Sequence, residues 1–458
     1  MQRPNILVFM TDDHGQWASG CYGNRELHTP SLDHLAATGV RMSQAFTPSP
    51  VCSPARASFF TGHIPSSHGI HDWLRESERA GTHLGLGDQS ILATTLADLG
   101  YETGLVGKWH CGHSSPKPPG FDYWYCLADG TDARFGRQNF SDNGRTVHRH
   151  GYQGHMLTDA ALQFLRESRD DRPFFLFVGY TDTHSPFAGE PPRLVDLYRG
   201  CQFDDIPDET FSAAHGQAFV PRPKSADEHR EQLAQYYAAV SLIDEQVGRI
   251  MDELANFDQL GNTLIVYTAD HGHMNGHHGL YCKGNATTPQ NFLDESIRVP
   301  CIWSWRGGLP SRRVADDFVD HCDLHATLLQ VAGMDRNEAR TNGPGRSYLP
   351  ILRGVPVADW RDVQYGEYGN ARMIRTRSAK LIRRYPGPNG SFPDEFYDLT
   401  ADPRERHNVI NHDPHQTLIQ QMSQRLDAYF ARYEDPQYSG TYIVDQPICN
   451  ADEPWRRM

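Results

Sequence analysis

The sequence predicts an α/β fold: a large, mixed but mostly parallel sheet sandwiched by helices, followed by a smaller C-terminal subdomain of antiparallel strands and a helix. Three observations predict it. Short apolar runs alternate with helical stretches up to about residue 360. Several of those runs end in Asp, Lys or His, in "DDH", "GKWH", "DTH" and "ADHG". Beyond residue 360 the runs shorten and are joined by turn residues. Strands alternating with helices build a parallel sheet covered on both faces, and its chemistry collects beyond the carboxyl ends of the strands.

Taken in order, "NILVFM" (5–10) is an apolar run that stops at "TDDHG", a buried strand delivering Asp12 and Asp13 to its end. "TPSLDHLAATG" (29–39) has Pro and cap residues at its start and Gly at its end, which predicts a helix. "VCSPARASFFTG" (51–62) opens another, with Cys52, Pro54 and Arg56 in its first turns. Helix 90–100 leads to strand 101–110, which carries Lys108 and His110. Helix 155–168 leads to strand 173–184, ending at His184. A long helix over 224–256 precedes strand 263–272, which brings Asp270 and His271, and "VPCIWSW" (299–305) follows. In the last part, "DVQYGEYG", "RMIRTRSAKLIRR" and "EFYDLTADP" read as antiparallel strands, and 415–433 as an amphipathic helix. The organisation expected is a catalytic α/β unit over 1–360 and an α+β subdomain over 361–458.

A chain of 458 residues, 38% hydrophobic and 22% charged, suits a globular enzyme. Its formal charge of −14 argues against nucleic acid and anionic membrane as partners, so any bound anion needs a local basic pocket. The nine cysteines are scattered and form no C-x-x-C pair, which excludes a disulfide framework and structural zinc. No h-region with a cleavage site and no run of membrane-spanning length occurs, so a cytoplasmic protein is expected.

Asp12–Asp13 and Asp270–His271 lie far apart in sequence but at ends of strands. One such pair alone is more often a cap or turn. Two pairs converging on one sheet edge would repel without a counter-charge, which a divalent cation supplies. Oxygen ligands favour Ca²⁺ or Mg²⁺, and the histidine keeps Mn²⁺ as an alternative. Lys108, His110, His184 and Lys283 are singly unremarkable; together they would surround a bound anion with positive charge and supply proton donors. "HGHMNGHHG" offers a weaker zinc reading through His273, His277 and His278. Cys52 has three readings: a buried structural thiol, a thiolate nucleophile, or the precursor of another group.

The tight "CSPAR" before "ASFFTG", set among these strand-end residues, resembles the C-x-P-x-R signature of the type I sulfatase family, in the alkaline-phosphatase-like superfamily. The resemblance runs through "PNILVFMTDD", "TPSLDHLAATG", "TLADLGYETGLVGKWH", "PFFLFVGYTDTHSPF", "TADHG", "HHGLYCKG", "DESIRVPCIW" and "EFYDLTADPRERHNV" in matching order. It implies that Cys52 is oxidised to formylglycine by a separate maturation enzyme. It makes Asp12, Asp13, Asp270 and His271 the ligands of one divalent ion, most simply Ca²⁺, with residue 52 completing the site. Arg56 would orient residue 52, Lys108 would contact it and the sulfate, His110 would be the base, and His184 and Lys283 would grip the sulfate and face the leaving oxygen. The implied reaction is hydrolysis of a sugar or aryl sulfate monoester through a covalent sulfo-enzyme intermediate, in a cleft reached by solvent. A geminal diol explains the choice of nucleophile, because deprotonating its second hydroxyl re-forms the aldehyde and expels sulfate. Two rivals stand beside it: a phosphonate monoester or phosphodiester hydrolase of the same superfamily, and a non-catalytic sulfate-ester binder with unmodified Cys52. The sequence departs from the family at His273 and near His277, where acidic residues are common. "HDWLRES" (71–77) and "GTDARFGR" (130–137) read either as pocket lining or as surface loops.

Overall fold

The computed structural model describes residues 3–75, 85–128, 134–168, 171–207, 209, 215–335 and 342–457. Its main feature is a ten-stranded sheet. In chain order the strands are β1 (Asn5–Thr11), β2 (Val40–Met42), β3 (Glu102–Gly107), β4 (Tyr123–Leu127), β5 (Phe135–Asp142), β6 (Arg145–Tyr152), β7 (Phe174–Tyr180), β8 (Thr263–Ala269), β9 (Cys301–Ser304) and β10 (Arg313–Ala315). Across the sheet they lie in the order β10-β2-β9-β8-β1-β7-β3-β4-β5-β6. The run β8-β1-β7-β3-β4 is parallel throughout, while β9 and the β5–β6 hairpin are antiparallel to their neighbours. The expected mixed, mostly parallel sheet is therefore present.

The apolar runs "NILVFMT", "FFLFVGY" and "TLIVYTA" are buried at every position, as central strands covered on both faces must be. Even-numbered residues of β1 (Ile6, Val8, Met10) face a core shared with helices α2 (Cys52–Thr61), α3 (Leu92–Asp98) and α6 (His321–Val331), through Phe59, Phe60, Leu92, Leu96 and Leu328. Odd-numbered Leu7 and Phe9 face the opposite layer, formed by α1 (Pro30–Thr38), α4 (Gln153–Glu167) and α5 (Ala226–Asn256). Period-two alternation thus assigns the two layers directly.

Register sets the site. Thr11 pairs with Ala269 on one side and Tyr180 on the other, so the chain leaves all three strands at one level, just before Asp12, Asp270 and Thr181. Gly107 pairs with Gly179, one residue before that row. At φ +100°, a Cβ on Gly107 would stand 2.1 Å from the Gly179 carbonyl oxygen, so only glycine lets β3 deliver Lys108 here.

The hairpin β5–β6 was not legible as strands. Residues 135–137 of "GTDARFGR" begin β5 rather than a loop, and residues 130–133 of that stretch lie outside the described residues. The missed signal is Asn143–Gly144: both adopt positive φ (47° and 88°), the two-residue turn that suits a right-twisted hairpin.

C-terminally, β11 (Gln364–Tyr368), β12 (Ala371–Arg375), β13 (Ala379–Arg384) and β14 (Glu395–Asp398) form an antiparallel sheet in sequence order. Helix α7 (Gln416–Tyr433) covers it, packing Met422, Leu426 and Phe430 on Ile374, Leu381 and Phe396. The fully buried Lys380 of β13 ties this sheet to the larger one by pairing with Glu405 and, at 2.9 Å, with Asp294, which also takes Arg375 at 2.6 Å. All nine cysteines are free, and no helix among the described residues is long and apolar enough to cross a membrane.

Several of the 24 histidines are core residues. His325 of α6 donates Nδ1–H to the Phe59 carbonyl at 2.9 Å, and burial pushes its pKa down to about 4. Between pH 6.5 and 4 the unfolded chain therefore binds a proton that the folded chain refuses, so stability is present above about pH 6.5 and is lost as pH falls toward 4. One such group costs about 2 kcal/mol at pH 5. Thermal unfolding should show a lower midpoint at pH 5 than at pH 7, and His325→Asn, which keeps the donor to Phe59, should flatten that dependence. An unchanged slope in the variant would contradict this reading of His325.

Candidate active site

Val51 is extended (φ −154°) and Cys52 begins α2, so residue 52 sits at a helix N-terminus, where unpaired backbone N–H groups favour negative charge. Every residue of α2 is buried, and Cys52 itself is 3% exposed. The expected solvent-reached position is corrected accordingly: apolar packing of Phe59 and Phe60 draws the whole helix against the sheet. Around the Cys52 sulfur lie Lys283 Nζ at 3.1 Å, His271 Nε2 at 3.3 Å and Asp12 Oδ1 at 3.4 Å.

Three buried carboxylates meet here with three cations. Lys108 Nζ lies 2.5 Å from Asp12 Oδ2, Lys283 Nζ donates to Asp13 Oδ1 at 2.6 Å, and Arg56 Nε donates to Asp270 Oδ2 at 2.8 Å. Arg56 also donates to the Lys108 carbonyl at 3.0 Å, linking α2 to the end of β3. Burial opposes ionisation of Asp12 and Asp13, but the surrounding cations, Lys108 and Lys283 foremost, hold both well below the usual carboxylate range. Asp270 is pushed up, by burial and then by the Asp12 charge. For the Cys52 thiol, burial and Asp12 work against the anion; Lys108, Lys283 and His271 outweigh them and bring it down to about 6.

The same residues fit a hard divalent cation. Ligand atoms of Asp12, Cys52, Asp270 and His271 lie within 4.8 Å of one another, as do those of Asp12, Asp13 and His184. His271 Nδ1 donates to the Gly272 carbonyl at 2.8 Å, so Nε2 faces Asp13 Oδ1 and Asp270 Oδ1, each at 3.4 Å. Burial opposes its charge, but Asp270 outweighs it and raises the pKa to about 9, and a bound cation would take the place of the Nε2 proton. Asp13 Oδ2 is buried without a hydrogen bond. Asp13 also holds φ at 56°, an uncommon backbone state for a non-glycine residue, as does His110 at 58°.

His110 donates Nε2–H to the Leu74 carbonyl at 2.8 Å, which leaves its buried Nδ1 unpaired. Burial, then Lys108, pushes it down to about 3, so it is neutral. Leu74 N in turn donates to Ser53 Oγ at 2.9 Å, and Asn450 Nδ2 donates to the Trp73 carbonyl at 2.7 Å. The described part of "HDWLRES" thus braces His110 and the start of α2 rather than forming a free loop; residues 76 and 77 of that stretch lie outside the described residues. His184 donates Nδ1–H to the Ser185 carbonyl at 2.7 Å, turning Nε2 toward Asp13 Oδ2 at 3.9 Å.

Every residue predicted for the site is therefore gathered at one sheet edge, with His110 against its rim. The three histidines of the zinc reading are not gathered. His278 pairs with Glu295 at 2.8 Å, His277 packs on Trp17 with ring centroids 4.7 Å apart, and only His273 reaches the site, 3.7 Å from Asp13 Oδ2 and stacked on Tyr236. Sequence reading missed Thr183, whose hydroxyl donates to the Asp12 carbonyl, and Tyr236, whose hydroxyl donates to that of Asp13 at 2.9 Å. It also left open Arg134, which donates to the carbonyls of His184 and Ser185.

Residues 4–334 match the family model Sulfatase, and residues 276–432 match N-sulphoglucosamine sulphohydrolase, C-terminal. The chain is 30% identical to the uncharacterized sulfatase YidJ of Escherichia coli (strain K12), over 100% of this chain and 91% of that protein. It superposes with TM-score 0.79 and 24% identity on BT4656 in complex with its substrate D-glucosamine-2-N,6-O-disulfate, covering 94% of this chain and 98% of that one. The fold is also that of the phosphonate monoester hydrolase of Agrobacterium radiobacter, at TM-score 0.74 and 20% identity over 94% and 96% of the two chains. With the family model spanning most of its length, the chain belongs to the sulfatase family.

Proposed function

We propose that this protein hydrolyses sulfate monoesters of saccharides, with residue 52 acting as nucleophile after its conversion from cysteine to formylglycine. The observation that carries the reading is the Cys52 sulfur at a buried helix N-terminus, 3.1 Å from Lys283 Nζ and within 3.4 Å of Asp12 and His271. An unmodified cysteine is the poorer reading. Held at about 6, it would be an anion, and its S-sulfo product would lack a second hydroxyl with which to expel sulfate. The aldehyde hydrate supplies one hydroxyl to attack sulfur and another whose deprotonation releases the sulfate. Because Cys52 is 3% exposed, a maturation enzyme meets it before the chain closes.

Lys108, Lys283 and His184 lie around the position an ester sulfate takes, where fixed positive charge stabilises the developing charge most. His110 is the base: its Nε2–H is committed to Leu74, and neutral Nδ1 is free to accept the proton. His184 is the acid, presenting Nε2 to the leaving oxygen. Asp12, Asp13, Asp270 and His271 would hold one divalent ion, Ca²⁺ by the hardness of the oxygen donors with Mg²⁺ and Mn²⁺ as alternatives, and that ion supplies Lewis acidity toward an ester oxygen. Substrate chemistry follows the saccharide sulfate bound by BT4656. Comparing kcat/KM for nitrophenyl sulfate with that for a phenyl phosphonate ester tests the choice of ester; a higher value for the phosphonate would overturn it.

Two predictions follow from these roles. Asp270→Asn, which keeps a partner for Arg56, should lose the bound metal and activity together, read by elemental analysis of the purified variant. Full metal content in the variant would show that Asp270 does not hold the ion. For His184→Ala, the loss in kcat/KM should grow with leaving-group pKa across a series of aryl sulfates, because nitrophenolate departs unaided and an alkoxide does not. General acid catalysis contributes about 10²–10⁴-fold where it is needed. Equal losses for all leaving groups would make His184 a sulfate clamp and leave the acid elsewhere.

A further inference from the structure

The β5–β6 hairpin is the part of the molecule that the reaction does not use. On a chain of charge −14, residues 134–155 carry four arginines and three histidines against one aspartate. Cross-strand pairs Phe135–Tyr152, Arg137–His150 and Asn139–His148 fall on one face of the hairpin, because alternate residues share a face. That face is exposed: Phe135 is 50% accessible, and Arg137, His148 and His150 are exposed as well. Phe135 packs tilted on Tyr152, at 51° and 4.7 Å between ring centroids, and edge-on to His150 at 82° and 5.3 Å, making a small exposed aromatic cluster.

Two relations aim this face at the site. The next residue along it, Ser141, pairs with Cys126 of β4, and Cys126 belongs to the core layer of α2, so the hairpin face lies on the side of the sheet from which Cys52 approaches. Phe135 also directly follows Arg134, whose guanidinium donates to the carbonyls of His184 and Ser185. The hairpin's upper end is thus joined to the residue that faces the leaving group. Between β7, which leads to His184, and β5 lie three strand spacings, roughly 14 Å. A monosaccharide held by its sulfate does not bridge that distance; a short oligosaccharide does.

We infer that Phe135, Arg137, His150 and Tyr152 form a subsite for the flanking sugars of an anionic oligosaccharide, the exposed Phe135 ring taking a sugar face and Arg137 a sulfate or carboxylate. This rests on the proposed hydrolysis of saccharide sulfates. Charges on an edge strand also deter sheet-to-sheet pairing. That role does not account for an exposed aromatic cluster on the face turned to the site, and it predicts no ligand.

The test uses the full-length matured protein, with dextran sulfate and neutral dextran of matched length as binding probes and nitrophenyl sulfate as a small substrate. Dextran sulfate should bind and dextran should not. Phe135→Ala and Arg137→Ala should each weaken dextran sulfate binding about tenfold, as loss of one stacking or charged hydrogen-bond contact does. Both should leave kcat/KM for nitrophenyl sulfate within about twofold of the wild type, since neither residue touches the sulfate site. Arg306→Ala, an exposed arginine at the opposite sheet edge, is the control and should bind normally. The inference is overturned if the hairpin variants bind dextran sulfate like the wild type, or if Arg306→Ala loses as much. Failure of the proposed function reads differently: the wild type would not turn over nitrophenyl sulfate, while the binding comparison would stand.

Discussion

Three carboxylates brought together inside a protein are the constraint on which the rest of this structure depends. Asp12, Asp13 and Asp270 are each 1% exposed or less and share one sheet edge, so their repulsion is not relieved by water. Lys108, Lys283 and Arg56 face them one to one, and each cation arrives on a different element. β3 delivers Lys108 only because Gly107 lets it pass Gly179; α2 delivers Arg56 in the same turns as Cys52. Placing Cys52 and placing the counter-charges are therefore one structural problem.

The same arrangement explains the depth of residue 52. A nucleophile at a helix N-terminus gains from backbone N–H groups only if the helix is fixed, and α2 is fixed by burying every residue. The cost is access, since Cys52 is left only 3% exposed. Residues beyond the smaller sheet contribute at this level. Asn450 holds Trp73 and Leu74 next along holds His110, so Asn450 reaches His110 through two hydrogen bonds, while Ser53 of α2 holds Leu74.

Much of this was legible in the sequence because strand-end chemistry leaves a local mark. Uninterrupted apolar runs such as "NILVFM" and "TLIVYTA" can be buried on both faces only in a central sheet, and the polar residue that follows each marks the edge. "CSPAR" brought Cys52 and the counter-charge of Arg56 together in five residues. What escaped was either non-local or masked by composition. Thr183 and Tyr236 act through backbone carbonyls of Asp12 and Asp13, contacts no spacing announces. The hairpin's glycines and polar residues hid its alternation, although Asn143–Gly144 marked its turn. The histidines of 271–279 look alike in sequence, yet Glu295, Trp17 and Tyr236 draw three of them to different neighbours.

The central claim is that Cys52 is the precursor of the nucleophile. Mass spectrometry of the peptide spanning residue 52, taken from protein made in a host that carries a maturation enzyme, tests it most directly. The account predicts that residue 52 is found as the aldehyde or its hydrate, and that specific activity rises in proportion to the modified fraction across preparations. A fully active preparation in which residue 52 is entirely cysteine would contradict it.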